Sequence, residues 1–425
     1  MALIILFLVY NILSNRLDSN DIKLNRYSNK QRLIIVFSHI LGFIIIYLKI
    51  DKINVIYLLC EQFILFVFLF FFYNRLYKNA SKILINNCMY LLSIGFITLT
   101  RLSYDTGLKQ FRWSVISIII SLTIPIIIVR CKFLSKFIWT YALLGFLLLI
   151  TVFFYGEKIY GARNWVVIGN FSFQPSEIVK IFYILLIASI LKNNKSLKRV
   201  IISSFVTLTY ITVLIFQKDL GMALIFFVIY MGILFVATSK WIYFLGGLLS
   251  ASIASSIAYK FFNHVRVRVE AWKNPWNDVP NKGYQIAHSL FAIGTGSWFG
   301  LGLGNGIPEK IPVVKTDFIY SAIIEEWGIL FGIGLILIML YIALKGFNIA
   351  KALENNFYVL IGVGISCAYA FQVFLIIGGV TKVIPVTGVT LPFVSYGGSS
   401  LLSSFLMISI LQGIYILSKQ VKTPK

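Results

Sequence analysis

Residues 220–237 read LGMALIFFVIYMGILFVA, an uninterrupted run of eighteen residues without a charged side chain. Such a run is typical of a helix that crosses a bilayer, which takes about 20 consecutive apolar residues. The whole chain has the same character, because 59% of its 425 residues are hydrophobic and only 12% are charged. Soluble domains carry about 25% charged residues. The composition therefore excludes a water-soluble enzyme and indicates a polytopic membrane protein.

Twelve apolar runs of this kind predict membrane-spanning helices. They lie at 33–49, 54–73, 83–100, 113–129, 137–154, 178–191, 200–216, 220–237, 241–259, 318–344, 357–380 and 396–417. A thirteenth candidate, residues 2–13, is too short to cross about 30 Å of hydrocarbon as a straight helix, so its status stays open. The predicted fold class is an all-α polytopic membrane protein with about 12–13 spans.

The charge pattern predicts the orientation of the chain. Its 38 Lys and Arg against 15 Asp and Glu give a net charge of +23. In a membrane protein this excess collects in cytoplasmic loops, so no nucleic-acid partner is expected. The loops fall into two sets that alternate across the membrane. One set, with the C-terminal tail, holds 21 of the 38 basic residues. The other set holds 17, but seven of these lie in the single long loop 260–317. Because long loops count little, the C-terminus is predicted to be cytoplasmic and loop 260–317 to face outward.

The unusual loops all lie on the predicted outer face. Loop 260–317 is rich in Trp, Gly and Pro, and two shorter outward loops lie at 155–177 and 381–395. Loops longer than about 12–15 residues are usually functional or disordered, and this composition favours an ordered one. We therefore expect the functional site to face outward.

Two charged residues follow Pro175 at the start of a predicted helix. Glu177 would lie in the first turn, where a carboxylate favours the positive end of the helix dipole, so helix capping explains it as well as a functional role does. Lys180 would lie about 4.5 Å further along the axis. A cation that points inward near the outer membrane boundary is a candidate functional residue.

Three carboxylates mark the end of the long loop and the span after it. Asp317 stands at the mouth of the span, and Glu325 and Glu326 follow inside it. This spacing predicts a polar cavity that descends from the outer surface. Two alternatives stay open: Asp317 could be a helix N-cap, and the glutamates could form helix–helix ion pairs. The glycine run 294–306 is not interpreted as a dinucleotide-binding loop, which requires a βαβ unit.

The stretch 385–400, before the last predicted span, is polar and rich in glycine. Irregular backbone at membrane depth is tolerated only where it lines a cavity or is buried in protein. We therefore expect it to form a wall of the same cavity. Its candidate residues are Pro392, Ser395, Gly397, Gly398 and Ser399.

At these positions the sequence resembles the SEDS family (shape, elongation, division and sporulation), the FtsW/RodA/SpoVE-like cell-wall proteins. The motifs that carry the resemblance are Gly161-Ala-Arg-Asn-Trp165, Gln174-Pro-Ser-Glu177 with Lys180, Asp219-Leu-Gly221, Gly283-Tyr-Gln285, Thr316-Asp-Phe-Ile319, Glu325-Glu326 and Leu391-Pro-Phe-Val-Ser-Tyr-Gly-Gly-Ser-Ser400. The similarity implies a ten-helix SEDS core over residues 81–425, with residues 1–80 as an N-terminal membrane extension of two or three helices. Lys218, His288 and Lys315 depart from the usual family pattern.

The resemblance implies a peptidoglycan glycosyltransferase that polymerises lipid II at the outer face of the bacterial plasma membrane, for elongation, division or sporulation. It places the essential carboxylate at Asp317 and a loop tryptophan at Trp165. It also implies a class B penicillin-binding protein and membrane lipids as partners. Two other classes stay open, a lipid II flippase and a non-catalytic scaffold for the penicillin-binding protein.

The chemistry of this reaction agrees with the residues. A general base near the attacking sugar hydroxyl contributes about 10²–10⁴-fold, and Asp317 can supply it. The leaving pyrophosphate needs cations or a divalent metal. No metal-ligand cluster is present in the sequence, so Mg²⁺ or Mn²⁺ stays an open alternative. The candidate substrate-binding residues are Arg163, Trp165, Glu177, Lys180, Arg266, Arg268, Gln285, Lys315, Ser395 and Ser399.

Overall fold

The structure, a computed structural model, describes residues 1–15, 17, 22–131, 133–159, 162–169, 171–193 and 196–422. Within these residues the chain forms seventeen α-helices and one small β-sheet. The helices are α1 Ala2–Asn15, α2 Ile22–Ile50, α3 Asn54–Leu76, α4 Lys82–Leu102, α5 Tyr104–Ser121, α6 Ile124–Arg130, α7 Ile138–Tyr155, α8 Pro175–Leu191, α9 Leu197–Phe216, α10 Leu220–Thr238, α11 Trp241–Phe261, α12 Asn263–Lys273, α13 Tyr284–Gly296, α14 Ile319–Trp327, α15 Ile329–Lys351, α16 Asn356–Val380 and α17 Gly398–Lys422. The strands are β1 Gly156–Ile159, β2 Ala162–Ile168 and β3 Phe171–Phe173.

The predicted helical membrane fold is confirmed. Eleven helical segments among the described residues are long and apolar enough to cross a membrane. The predicted span 178–191 forms α8, which is 17 residues long. The predicted span 113–129 lies within α5 and α6, which together make one 27-residue apolar segment. The candidate 2–13 forms the short apolar helix α1.

One predicted span, 318–344, is divided in two. Its first part forms the short helix α14, and the membrane helix α15 begins only at Ile329. Gly328 separates the two with a φ of +87°, and a Cβ at this position would lie 2.4 Å from the carbonyl oxygen of Trp298. Only glycine accepts both the left-handed backbone and this close approach. The break leaves α14 beside the end of the long loop 260–317.

The core lies where α8, α10, α16 and α17 pack against one another. Helix α4 packs against α2, α5 and α15 and is buried along its length from Ile83 to Thr100. The N-terminal helices help to cover α4, and polar side chains join them to it: Asn87 and Asn11 exchange hydrogen bonds of 2.7 and 2.8 Å, and Asn86 donates to the backbone of Ser28. Hydrogen bonds of this kind hold helices together where lipid provides no hydrophobic driving force.

Irregular segments at one end of the helices form the walls of the functional site. The three-stranded antiparallel sheet, ordered β1-β2-β3, lies between α7 and α8. The non-helical segment 381–397 separates α16 from α17. Gln110 of α5 supports it by donating to the carbonyl of Ser395 and accepting from the amide of Gly397. As the sequence predicted, irregular backbone is found where it can line a cavity.

Candidate active site

A cavity of about 590 Å³ opens between the sheet, α12, the start of α13 and the segments 313–317 and 386–398. Its volume lies within the range of small-molecule sites, about 300–1,000 Å³. Its polar and charged lining residues come from every one of these elements. They include Asn164, Trp165, Gln174, Lys218, Asp219, Arg268, Lys282, Gln285, Thr316, Asp317, Thr387, Thr390 and Tyr396.

Asp317 stands in the cavity wall just before α14. Its backbone amide donates to the carbonyl of Val313 at 3.1 Å, which turns the chain back before the helix begins. Phe318 is the N-cap residue of α14, and the structure finds no side-chain capping bond there. The alternative interpretation of Asp317 as a helix cap is therefore not supported. Its carboxylate is available to the cavity.

The environment of Asp317 favours a carboxylate that can exchange protons near neutral pH. Burial raises the pKa of the Asp317 carboxyl to about 6, although a hydrogen bond from Thr316 and the positive charge of Arg268 both act to lower it. A carboxylate with a pKa close to the working pH is suited to general base catalysis, because it is deprotonated yet basic enough to accept a proton.

Arg268 reaches the same part of the cavity from α12. Its Nη1 donates to the carbonyls of Val386 and Thr387 at 3.3 and 3.0 Å. A Cβ added at Gly388 would lie 3.7 Å both from Arg268 Nη2 and from Asp317 Oδ2, so the two charged atoms are no further apart than twice that distance. Gly388 has a φ of +78°. The loop therefore holds the guanidinium near the carboxylate through backbone carbonyls.

A second carboxylate, Asp219, lines the cavity and is fully engaged. It is the N-cap of α10 and accepts from the amide of Met222 at 3.3 Å. Its Oδ2 accepts from the side chains of Asn164, Gln174 and Ser176 at 3.1, 2.9 and 3.2 Å. These donors favour the charged form and offset part of the burial that raises the pKa of Asp219. Asp219 joins the sheet to α8 and α10 and so fixes one wall of the cavity.

Six of the predicted site residues line the cavity together. They are Trp165, Arg268, Gln285, Asp317, Gly397 and Gly398. Gly398 makes room for α5, since a Cβ at this position would lie only 2.2 Å from a ring carbon of Trp113. The structure brings these six residues from distant segments of the chain to one cavity.

Glu177 and Lys180 lie in the core and do not line this cavity. They form an ion pair of 2.8 Å, with only 2% and 0% of their side chains exposed. Lys180 also donates to Gln372, and Glu177 accepts from Ser403, at 2.9 and 2.6 Å. A buried charge must be paired to be tolerated. The pair therefore joins α8 to α16 and α17. Neither residue lines the cavity in which a substrate would bind.

The other predicted basic residues do not line the cavity either. Arg163 donates to the carbonyl of Gly156 within the sheet, and Arg266 donates to the carbonyl of Lys260. Lys315 contributes its backbone carbonyl to the amide of Tyr396 at 2.9 Å, and its side chain does not line the cavity. Gly161, which begins the motif that contains Arg163, lies outside the described residues.

The two predicted serines are structural. Ser395 donates to the carbonyl of Thr316 at 2.6 Å and accepts from the amide of Leu391, which anchors the loop next to Asp317. Ser399 accepts from the amide of Gln174 at 3.2 Å. Pro392 is buried in the same loop. These residues shape the cavity from behind its wall.

The contacts of Glu325 and Glu326 in α14 support the alternative interpretation, in which these glutamates hold segments of the protein together. Glu326 forms an ion pair of 2.9 Å with Arg101 of α4, and Arg101 is also paired with Glu309. Glu325 accepts from the amide of Ile307 at 2.9 Å. The two carboxylates therefore hold the end of the long loop against α4 and α14, and neither lines the cavity.

Sequence reasoning did not propose several of the polar lining residues as site residues. Among them are Asn164, Lys218, Asp219 and Lys282. A signal for Asp219 was present, because an acidic residue between two apolar helical runs is a common N-cap. Lys282 gave no such signal, since it lies in a loop among other polar residues.

Comparison with known proteins places the chain in a family. The family model described as cell cycle protein, FtsW/RodA/SpoVE, matches residues 81–420. The peptidoglycan glycosyltransferase RodA of Mycobacterium bovis is 34% identical over an alignment of 270 residues that covers 60% of this chain. The chain spans 58% of the length of that relative. The probable peptidoglycan glycosyltransferase FtsW of Bacillus subtilis is 35% identical over 301 residues, 67% of this chain and 74% of that protein.

Solved structures show the same fold. A chain of a peptidoglycan synthase complex, studied for its coordination of polymerization and crosslinking, superposes with a TM-score of 0.68 and 25% identity over 80% of this chain and 99% of that one. The rod shape determining protein RodA of Thermus thermophilus superposes with a TM-score of 0.59 and 24% identity over 81% of this chain and 98% of that one. The chain belongs to the FtsW/RodA/SpoVE family of cell cycle proteins.

Proposed function

We propose that this multi-pass membrane protein is a peptidoglycan glycosyltransferase that polymerises lipid II, with Asp317 as the general base. The observation that carries the proposal is the position of Asp317 in a cavity of about 590 Å³, with a pKa raised to about 6 and Arg268 beside it. The names of its relatives support the proposal.

The proposed step moves one proton and exchanges one bond. The 4-hydroxyl oxygen of the acceptor sugar attacks the anomeric carbon of the donor, and the bond from that carbon to the pyrophosphate oxygen breaks. Asp317 takes the hydroxyl proton and later releases it to water, and the electron pair leaves with the pyrophosphate. Attack from the opposite face inverts the anomeric centre.

Cations in the cavity would neutralise the departing pyrophosphate. The cationic lining residues among the described part of the chain are Lys218, Arg268 and Lys282. Fixed positive charge aimed at a leaving group stabilises the transition state. A divalent cation, Mg²⁺ or Mn²⁺, would add Lewis-acid neutralisation. The described residues contain no group of three His, Cys, Asp or Glu side chains to hold one, so the phosphate oxygens of the substrate would supply most of its ligands.

The decisive experiment uses purified protein and lipid II, with no partner transglycosylase present. We expect polymer from the parent and a loss of 10²-fold or more in Asp317→Asn, since Asn keeps the shape and removes the basic oxygen. Asp105→Asn, at an exposed position of α5 away from the cavity, serves as the matched control and should keep full activity.

The outcomes separate the proposed enzyme from the other classes. Near-normal polymer from Asp317→Asn at equal expression would reject Asp317 as the base. No polymer from the parent, with transfer of lipid II across vesicles, would indicate a flippase. No polymer and no transfer, with retained binding of a penicillin-binding protein, would indicate a scaffold.

We propose further that the cavity faces outward from the plasma membrane, that the C-terminus is cytoplasmic, and that a class B penicillin-binding protein is the partner. The charge bias of the loops supports the orientation. The structural similarity to a chain of a peptidoglycan synthase complex supports the partner. In a cysteine-free background, an impermeant thiol reagent should label a cysteine at Asn281 from outside and miss one at Ser196. The reverse pattern would contradict the orientation.

A further inference from the structure

A second cavity, of about 320 Å³, lies between the N-terminal helices and the ends of α4, α15 and α17. Its walls come from the end of α1, the start of α2 and the connection before α4, together with Lys345 and Tyr415. The two cavities lie at opposite ends of α4. Lys82 at the start of α4 lines the second cavity, whereas Arg101 in its last turn contacts Glu326 of α14. The 21-residue length of α4 separates its two ends by about 30 Å.

The described lining of the second cavity is positively charged. Three of its lining residues are lysines, Lys78, Lys82 and Lys345, and no Asp or Glu lines it among the described residues. Lys82 donates to Asn25 of α2 at 2.8 Å. Lys345 is half-buried, and no hydrogen bond or ion pair of its ammonium is found with the rest of the described chain. Like charges that converge on one concave space repel one another unless an anion lies between them.

The start of α4 adds further positive potential to this cavity. Ser81, Lys82 and Ile83 all line it, and the side chain of Ser81 does not cap the helix. The amide of Ser81 is taken by Gln412 at 2.8 Å. The first-turn amides of a helix have no partner within the helix, and its N-terminus carries about half a positive charge. Both features favour an anion at this position.

We propose that this second cavity binds a phosphate group, held by Lys78, Lys82, Lys345 and the first turn of α4. Its volume is at the lower end of the range for ligand sites, which suits a phosphate-bearing head group. The shared chemistry has two sources, the head group of an anionic phospholipid and free inorganic phosphate. Basic pockets between membrane helices on the cytoplasmic side recognise anionic lipid head groups, and the charge bias places the loops around this cavity on that side.

The test measures thermal unfolding of the purified full-length chain in a neutral detergent, followed by tryptophan fluorescence. The protein is titrated separately with dioctanoyl phosphatidylglycerol, with dioctanoyl phosphatidylcholine and with sodium phosphate against sodium chloride of equal ionic strength. A ligand that binds only the folded state raises the midpoint in proportion to its occupancy. We expect stabilisation by phosphatidylglycerol or by phosphate, and none by phosphatidylcholine.

Variants assign the effect to the second cavity. Lys345→Gln and Lys82→Gln should each weaken the apparent affinity about fivefold, the equivalent of about 1 kcal/mol for one lysine near an anionic head group. Lys351→Gln serves as the matched control, because it removes an exposed lysine from the same helix without lining the cavity. Lys78→Gln, in an exposed connection, replaces Lys345→Gln and Lys82→Gln if those two variants fail to fold.

The results distinguish a lipid head group from free phosphate as the ligand, and they test this proposal independently of the proposed glycosyltransferase function. A response to phosphatidylglycerol alone assigns a lipid, and a response to inorganic phosphate as well assigns a free anion site. Equal stabilisation by both lipids, no stabilisation by any probe, or unchanged affinity in Lys345→Gln or its replacement Lys78→Gln overturns the proposal. Because this site is remote from Asp317, polymerisation by Lys345→Gln in the absence of these ligands is expected to match the parent, so failure here leaves the proposed function untouched.

Discussion

Replacement of Arg268 by Gln should make polymerisation more sensitive to acid. Asp317 must be deprotonated to act as a base, so activity is lost as the pH falls through its pKa of about 6. The positive charge of Arg268 acts to lower that pKa. Its removal raises the pKa of Asp317 further, so that more of the carboxylate is protonated at any given pH. The loss in Arg268→Gln is therefore expected to grow as the pH falls.

The size of this effect follows from the distance between the two groups. Arg268 Nη2 and Asp317 Oδ2 are each 3.7 Å from the same point at Gly388, which allows a separation of up to about 7 Å. At that distance and an intermediate effective dielectric of about 40, their attraction is on the order of 1 kcal/mol, or about fivefold in the protonation equilibrium. At pH 6 the deprotonated fraction of Asp317 would fall from about one half to about one sixth, and at pH 8 it would hardly change.

The assay is the rate of lipid II polymerisation from pH 5.5 to 8, expressed as the ratio of variant to parent. Arg268→Lys retains the charge and is the control. We expect the ratio for Arg268→Gln to be about threefold lower at pH 6 than at pH 8, with a flatter profile for Arg268→Lys. Loss of a phosphate contact, or of the contacts with Val386 and Thr387, would lower the rate equally at all pH values. A ratio independent of pH would refute the electrostatic argument.

Two further predictions concern stability, measured as the midpoint of thermal unfolding. Glu177→Gln leaves the buried ammonium of Lys180 without its counter-ion and should lower the free energy of unfolding by about 3–5 kcal/mol. The double variant Glu177→Gln with Lys180→Met should recover most of that stability. A double variant no more stable than Glu177→Gln alone would contradict the assignment of a buried ion pair. Gly398→Ala places a methyl group 2.2 Å from a tryptophan ring and should cost about 1–3 kcal/mol. Gly294→Ala, at a glycine with open space around it, is the control, and equal effects of the two would refute the packing argument.

The sequence predicted the helices well because lipid imposes a simple rule. A spanning segment must satisfy its backbone polar groups internally and present apolar side chains, so uncharged runs such as 220–237 are visible without any structure. The same rule explains why the irregular stretch 385–400 was correctly expected to line a cavity. Where the prediction was wrong, at 318–344, one glycine divided an apolar run that hydropathy alone reads as continuous.

The chemistry of the site was harder to predict because sequence does not reveal which way a charge points. Lys180 and Arg268 were both predicted as substrate-binding cations, yet Lys180 is completely buried in an ion pair and Arg268 lines the cavity. The difference lies in partners from remote segments. Gln372 and the Glu177 carboxylate hold Lys180 in the core, and the carbonyls of segment 386–387 hold Arg268 at the surface of the cavity.

The placement of Arg268 also explains how one carboxylate can be both available and basic. A direct ion pair would favour the charged form strongly and depress the pKa of Asp317, which would make it a poor proton acceptor at neutral pH. Removal of the Arg268 charge would raise the pKa of Asp317 further and increase its protonated fraction near pH 6. The structure takes an intermediate arrangement: backbone carbonyls of the loop hold the guanidinium, and Gly388, with its left-handed backbone and no side chain, occupies the space beside both groups. Burial therefore raises the pKa of Asp317, and the loop of segment 381–397 moderates this rise through the distance at which it holds Arg268.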